Sequence, residues 1–143
     1  MSVILRDVKD TLRLVERACD GVDGLQAAIV FGSALVTDEP HDLDLALLWS
    51  EDVSAGERWR RANRVAGDIE HAMGAAALNV DVKDLRALPL VLQHRVLQSG
   101  RSAYVADRRA LVRFNSETVP RALDFLPFYR RMLEASAERL GGK

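Results

Sequence analysis

Asp42 and Asp44 stand two residues apart at the head of an apolar run, Leu43 to Trp49, whose composition belongs in a protein interior. Nothing else in the chain restricts its fold as much. An extended backbone alternates sides, so Leu43, Leu45, Leu47 and Trp49 point one way while Asp42, Asp44, Ala46 and Leu48 point the other. The Cα atoms of the two acids are then roughly 6–7 Å apart and their carboxyl groups share a face. An unpaired buried carboxylate is costly, so a partner must be sought, and a divalent cation is the natural one.

The segments on either side follow the same logic. Asp20-Gly21-Val22-Asp23-Gly24 is turn chemistry, and the apolar run Leu25 to Phe31 after it reads as a buried strand that Gly32-Ser33 ends. A third strand fits Leu78 to Val82, with Leu78, Val80 and Val82 on one side and Asn79 and the lone acid Asp81 on the other. Helices fill the intervals. Ile4, Leu5, Val8, Leu12, Val15 and Cys19 recur at helical spacing from Ile4 to Cys19. Ser54 is placed to cap a helix to about Met73, with Trp59, Ala62, Ala66, Ile69 and Met73 as its apolar stripe and Gly74 as its stop. Pro89 suits the first turn of the next helix, whose stripe is Leu88, Leu92 and Val96 and whose end is Ser99-Gly100. Ser102 to Val105 reads as a short edge strand. Asp107 is the expected N-cap of the last helical region, which Pro120 and Pro127 should divide into two segments.

The chain of 143 residues can bury one proper core, so one domain is expected over 1–143: a helix within 1–20, a core over 25–106, and helices over 107–140. Lys and Arg total 20 against 21 Asp and Glu, which gives no field for general binding to a polyanion and no direct sign of nucleic acid. The single Cys19 fits a reducing cytoplasm, and the N-terminus lacks the apolar stretch of a signal peptide. No segment has membrane-spanning length. The expectation is a cytoplasmic protein without a membrane partner.

Three acids in otherwise apolar strands suit one kind of chemistry. Nucleotidyl transfer from a triphosphate needs charge neutralised at the attacked phosphorus, which two Mg²⁺ ions about 3.5–4 Å apart provide. In that scheme Asp42 and Asp44 bridge the metals and the triphosphate, while Asp81 binds the metal beside the nucleophile and is placed to accept its proton. Gly32-Ser33, directly after a strand, lets backbone N–H groups approach a phosphate. The plainer reading makes Asp42 a helix or strand cap, Asp44 an exposed strand residue, Asp81 an edge residue and Gly-Ser an ordinary turn. The ordered set, strand, Gly-Ser, short loop, Asp-x-Asp, then a strand with one acid, favours the chemical reading. Arg58, Arg61 and Arg64 recur in steps of three and are either phosphate-facing cations or, more simply, a solvated helix face. His41, His71 and His94 show no metal-ligand spacing. Phe114, Phe125, Phe128 and Tyr129, near Arg130 and Arg131, read as core packing or as a partner surface.

Phe31-Gly32-Ser33 followed by Asp42-Leu43-Asp44-Leu45 resembles the signature of the DNA polymerase β-like nucleotidyltransferases. Val80-Asp81-Val82-Lys83-Asp84-Leu85, Leu88 to Leu92 and His94 to Arg101 are similar to the MntA-type minimal members, and the likeness covers most of residues 25 to 131. It implies an α/β (α+β) nucleotidyltransferase fold, a small mixed β-sheet flanked by helices with a helical C-terminal region. It also implies an antitoxin that moves AMP from ATP to a tyrosine of a HEPN-domain ribonuclease toxin, alone or within a homo- or hetero-oligomer. A non-catalytic antitoxin that only binds the toxin, and transfer to a small molecule, are the alternatives. Eight residues separate Ser33 from Asp42, a shorter spacer than the family's usual one. Ala34-Leu35-Val36 stands where the family often carries an Arg.

Overall fold

The computed structural model describes residues 8–35, 42–74 and 79–139. Its elements run α1 (Val8–Cys19), β1 (Leu25–Phe31), β2 (Asp42–Trp49), α2 (Ala55–Met73), β3 (Asn79–Asp84), α3 (Leu90–Ser99), β4 (Arg101–Val105) and α4 (Arg108–Arg139). Short 3-10 turns occupy Gly32–Leu35 and Leu85–Ala87. The strands form one sheet in the order β3-β2-β1-β4. β1 is antiparallel to both β2 and β4, whereas β2 and β3 are parallel. Parallel neighbours need a crossover, and α2 supplies it. The fold is thus the mixed α/β arrangement expected, with β4 at an edge as predicted.

Alternation along β2 sorts the core into two halves. Leu43, Leu45, Leu47 and Trp49 pack with Leu14, Val15 and Cys19 of α1 and Val65, Ile69 and Met73 of α2. Ala46 and Leu48 pack on the other face with Ala27 and Ile29 of β1, Val96 of α3 and Phe114 of α4. Each fully buried Leu contributes about 1.5–3 kcal/mol relative to an exposed one. Cys19 is one of these core atoms: burial pushes its thiol up to about 12, so it stays protonated and unreactive.

Helix ends follow local chemistry. The Ser54 hydroxyl accepts from the Glu57 amide at 3.2 Å, and Gly74 at φ +65° stops α2. The Asp107 carboxylate accepts from the Ala110 amide at 3.0 Å and starts α4 as predicted. Pro89 sits one position before α3, as its cap rather than in its first turn.

Three further expectations are corrected. Trp59 is 70 % exposed; the α2 stripe runs instead through Ala62, Val65, Ile69 and Met73, one position round from the tryptophan's side. α4 is one continuous helix through Pro120 and Pro127. Both prolines lie on its exposed side, where water can satisfy the backbone carbonyls they orphan, while buried Phe114, Thr118 and Ala122 hold the opposite side to the body. Of the aromatic group, Phe114 is core, whereas Phe128 is 54 % exposed and Phe125 lies tilted against it with ring centroids 5.9 Å apart; the side chain of Tyr129 lies outside what is described. Leu78 and His41 lie outside the described residues.

Candidate functional site

Asp44 is the centre of the site because both its neighbouring strands present something to it. In the sheet it is paired with Phe31 on β1 and with Asp81 on β3. Asp42 is paired with Asn79 in the same parallel ladder. Adjacent strands lie about 4.8 Å apart, and paired residues point to the same face, so Asp42, Asp44 and Asp81 occupy one side of the sheet. That side is the one covered further along by α3 and α4. Around the acids it is open: Asp42 and Asp81 are exposed and Asp44 is half-buried.

The chain turns away from β1 at Gly32 with φ +80°. A Cβ there would collide with Oδ2 of Asp44 and lie 3.4 Å from its Cγ. Glycine is therefore required twice, for the backbone angle and for the room it leaves beside the carboxylate. Ser33 follows within the same 3-10 turn.

The three acids act on one another. Burial first, then repulsion from Asp81 and from Asp42, holds the Asp44 carboxyl above the usual range, and Lys83 opposes this. The Lys83 ammonium lies 3.5 Å from Oδ1 of Asp81, both side chains half exposed. Lys83 was not singled out from the sequence. The signal was available: Val80-Asp81-Val82-Lys83 alternates, so Lys83 must share the face of Asp81.

Among the described residues, no three His, Cys or acidic side chains are drawn together closely enough to hold a metal ion as they stand. The donor set nevertheless fits magnesium. It is made of carboxylate oxygens, beside a bend where Gly32 leaves room for the Asp44 carboxylate, and Mg²⁺ is usually held by one or two carboxylates plus water and substrate phosphates rather than by a closed protein cage. Mutual repulsion at Asp44 is the charge state that such an ion relieves.

Gly32, Asp42, Asp44 and Asp81 are thus brought together as predicted, with Ser33 next in the chain. The arginines of α2 are not. Arg58 pairs with Asp84 at 3.3 Å and donates to the Val53 carbonyl, and Arg61 donates to the Asp23 carbonyl and pairs with Glu57. Those partners lie on the far side of the sheet and toward the end of β2, so these two tie α2 down rather than face a phosphate.

Four strands in this order place the acid trio beside a glycine bend on one face of the sheet. A family model described as polymerase beta, nucleotidyltransferase, matches residues 15–109, which include every predicted site residue. The chain belongs to the polymerase beta nucleotidyltransferase family. Compared with curated proteins by sequence, it has no match. Among solved structures, it is similar to a protein from Shewanella oneidensis at 18 % identity and TM-score 0.57, over 90 % of this chain and 92 % of the other. It is also similar to a toxin-antitoxin protein solved with AMP-PNP, at 23 % identity and TM-score 0.52 over 90 % and 94 % of the two chains. A mutant of the toxin-antitoxin pair MntA-HpeT gives 21 % identity and TM-score 0.50 over 94 % of each chain. These likenesses establish the shared fold. Among the described residues no helix is long and apolar enough to cross a membrane.

Proposed function

We propose that this chain is a cytoplasmic antitoxin enzyme that transfers AMP from ATP to a tyrosine hydroxyl of a partner HEPN-domain toxin, with residues 25–106 as its catalytic core. The observation that carries the reaction is Asp44 lying between the Gly32 bend and the paired Asp81, with Asp42 on the same face. The acceptor is supported by the likeness to toxin-antitoxin proteins, one of them holding a non-hydrolysable ATP analogue.

Asp42 and Asp44 would hold magnesium against the triphosphate, and Asp81 would hold it beside the nucleophile; when bound, the ions neutralise charge at the attacked phosphorus. The turn at Gly32-Ser33 brings backbone N–H groups to the phosphates. The tyrosine oxygen bonds to the α-phosphorus, the bond to pyrophosphate breaks, and Asp81 takes the hydroxyl proton.

The test is transfer of α-labelled ATP to a purified HEPN-domain toxin. The parent protein with Mg²⁺ should label it. Asp44→Asn should lower labelling by at least about 100-fold with an unchanged circular dichroism spectrum. Labelling by that variant would remove Asp44 from the chemistry.

A second reading is favoured by one observation. Beyond Ala122, α4 exposes Leu123, Phe125, Phe128 and Met132, and a groove of about 480 Å³ between α3 and α4 is lined by Pro89, Leu92, Phe125 and Met132. Such a surface suits a protein partner. If binding alone neutralises the toxin, an Asp42→Asn/Asp44→Asn double variant protects cells as well as the parent at equal abundance.

A further inference from the structure

We propose that Lys83 is a built-in counter-ion that occupies Asp81 while the site is empty and competes with the divalent cation for it, so that this one side chain sets how much cation the site requires. The inference rests on the metal-holding role proposed above for the acids. Its geometry is independent of that role.

Lys83 and Asp81 are two apart on β3 and therefore on one face, and their charged atoms lie 3.5 Å apart. The sheet partner of Lys83 is Ala46, whose small, fully buried side chain offers the ammonium nothing to bind. The neighbouring acid, Asp84, faces the other side and is taken by Arg58 at 3.3 Å. The ammonium is thus directed to the trio, and its charge also steadies Asp44. Sequence supplies the reason for such a device. The sequence between Ser33 and Asp42 carries no Lys or Arg, and among the described residues Asp42 and Asp81 repel Asp44 while Lys83 opposes them. An ammonium on a flexible stem satisfies one of them and can swing off, because it is half exposed and an exposed ion pair is weak.

Competition has a signature that a merely structural lysine lacks. Replacing Lys83 by Met keeps the stem and removes the charge. Mn²⁺ binding to the nucleotide-free protein, read from the electron paramagnetic resonance of the free ion, should tighten by about threefold to tenfold in Lys83→Met and stay within about twofold in Lys83→Arg. Thermal melting should show Lys83→Met less stable than the parent in EDTA, with the gap closing as Mn²⁺ saturates the site. Unchanged or weaker Mn²⁺ binding in Lys83→Met, beside measurable binding in the parent, would overturn the competition while leaving the acids as metal holders. Absence of Mn²⁺ binding in every form would overturn both.

Discussion

The two faces of β2 are built from alternate residues of one eight-residue strand, yet they do different work. Leu43, Leu45, Leu47 and Trp49 are sealed under α1 and α2 with at most 2 % exposure. On the other face only Ala46 and Leu48 are sealed, and Asp42 and Asp44 look out through the gap that α3 and α4 leave. One face is saturated with contacts and supplies stability; the other begins with charges that the fold tolerates but does not satisfy. On the proposed function, stability and chemistry are therefore separable by a step of one residue along the chain.

That separation can be broken from either side. The largest effect belongs to the sealed face: Leu45→Ala should lose about 2–5 kcal/mol in urea unfolding, while the fraction that remains folded binds Mn²⁺ as tightly as the parent. Loss of metal affinity in that folded fraction would show that the faces are not independent. On the open face Asp44→Asn should do the reverse, removing AMP transfer while leaving the melting temperature equal or higher, because a repelled carboxylate has been neutralised. A marked fall in melting temperature would contradict it. Gly32→Ala falls between the two. It places a methyl against the Asp44 carboxylate at a φ of +80° and should lose about 1–3 kcal/mol together with metal affinity; loss of stability alone would mean that the glycine serves only the turn.

The smallest effect is on pH dependence. The Asp44 carboxyl titrates above its ordinary range in the folded chain, so between the ordinary and the raised values the folded state binds more protons than the unfolded state. Stability of the metal-free protein should therefore fall as pH rises through that window and level off above it. Asp44→Asn should remove this component. A denaturation series in EDTA across the acidic range reads the sign directly, and a rise with pH that disappears in Asp44→Asn would reverse the assignment.

Much of this was legible before any coordinates. Leu25–Phe31 is a strand with the bounds its Gly flanks suggest, and Ser54, Gly74 and Asp107 end or start helices where their chemistry says. The common face of Asp42, Asp44 and Asp81 follows from alternation and needs only the pairing of β2 with β3. What sequence does not carry is which apolar side chain wins a place inside. Trp59 matches the helical period of α2 as well as Val65 does, yet packing against β2 and α1 selects the neighbouring stripe. Gln93 was not expected in the interior; it is buried because its amide donates to the carbonyls of Arg86 and Leu88, at 3.1 and 3.0 Å. The prolines of α4 misled because a proline's effect depends on whether the carbonyl it orphans faces water, which only tertiary structure decides. Alternation puts Lys83 on the face of Asp81, but its pairing with that acid depends on Ala46 beside it and on Arg58 holding Asp84, which only the sheet and α2 arrange.

The parallel pairing of β3 on β2 has a consequence for how mistakes in assembly show themselves. Asp81 meets Asp44 only if two strands separated by the whole of α2 settle in one alignment. Displacing β3 by a single position would turn Val80 and Val82 toward the acids and bury Asp81 and Lys83 among the leucines beneath. A wrongly threaded molecule would carry an oily cleft and a charged interior, so it would be both inactive and unstable. On the proposed function, loss of activity would then report a misassembled sheet.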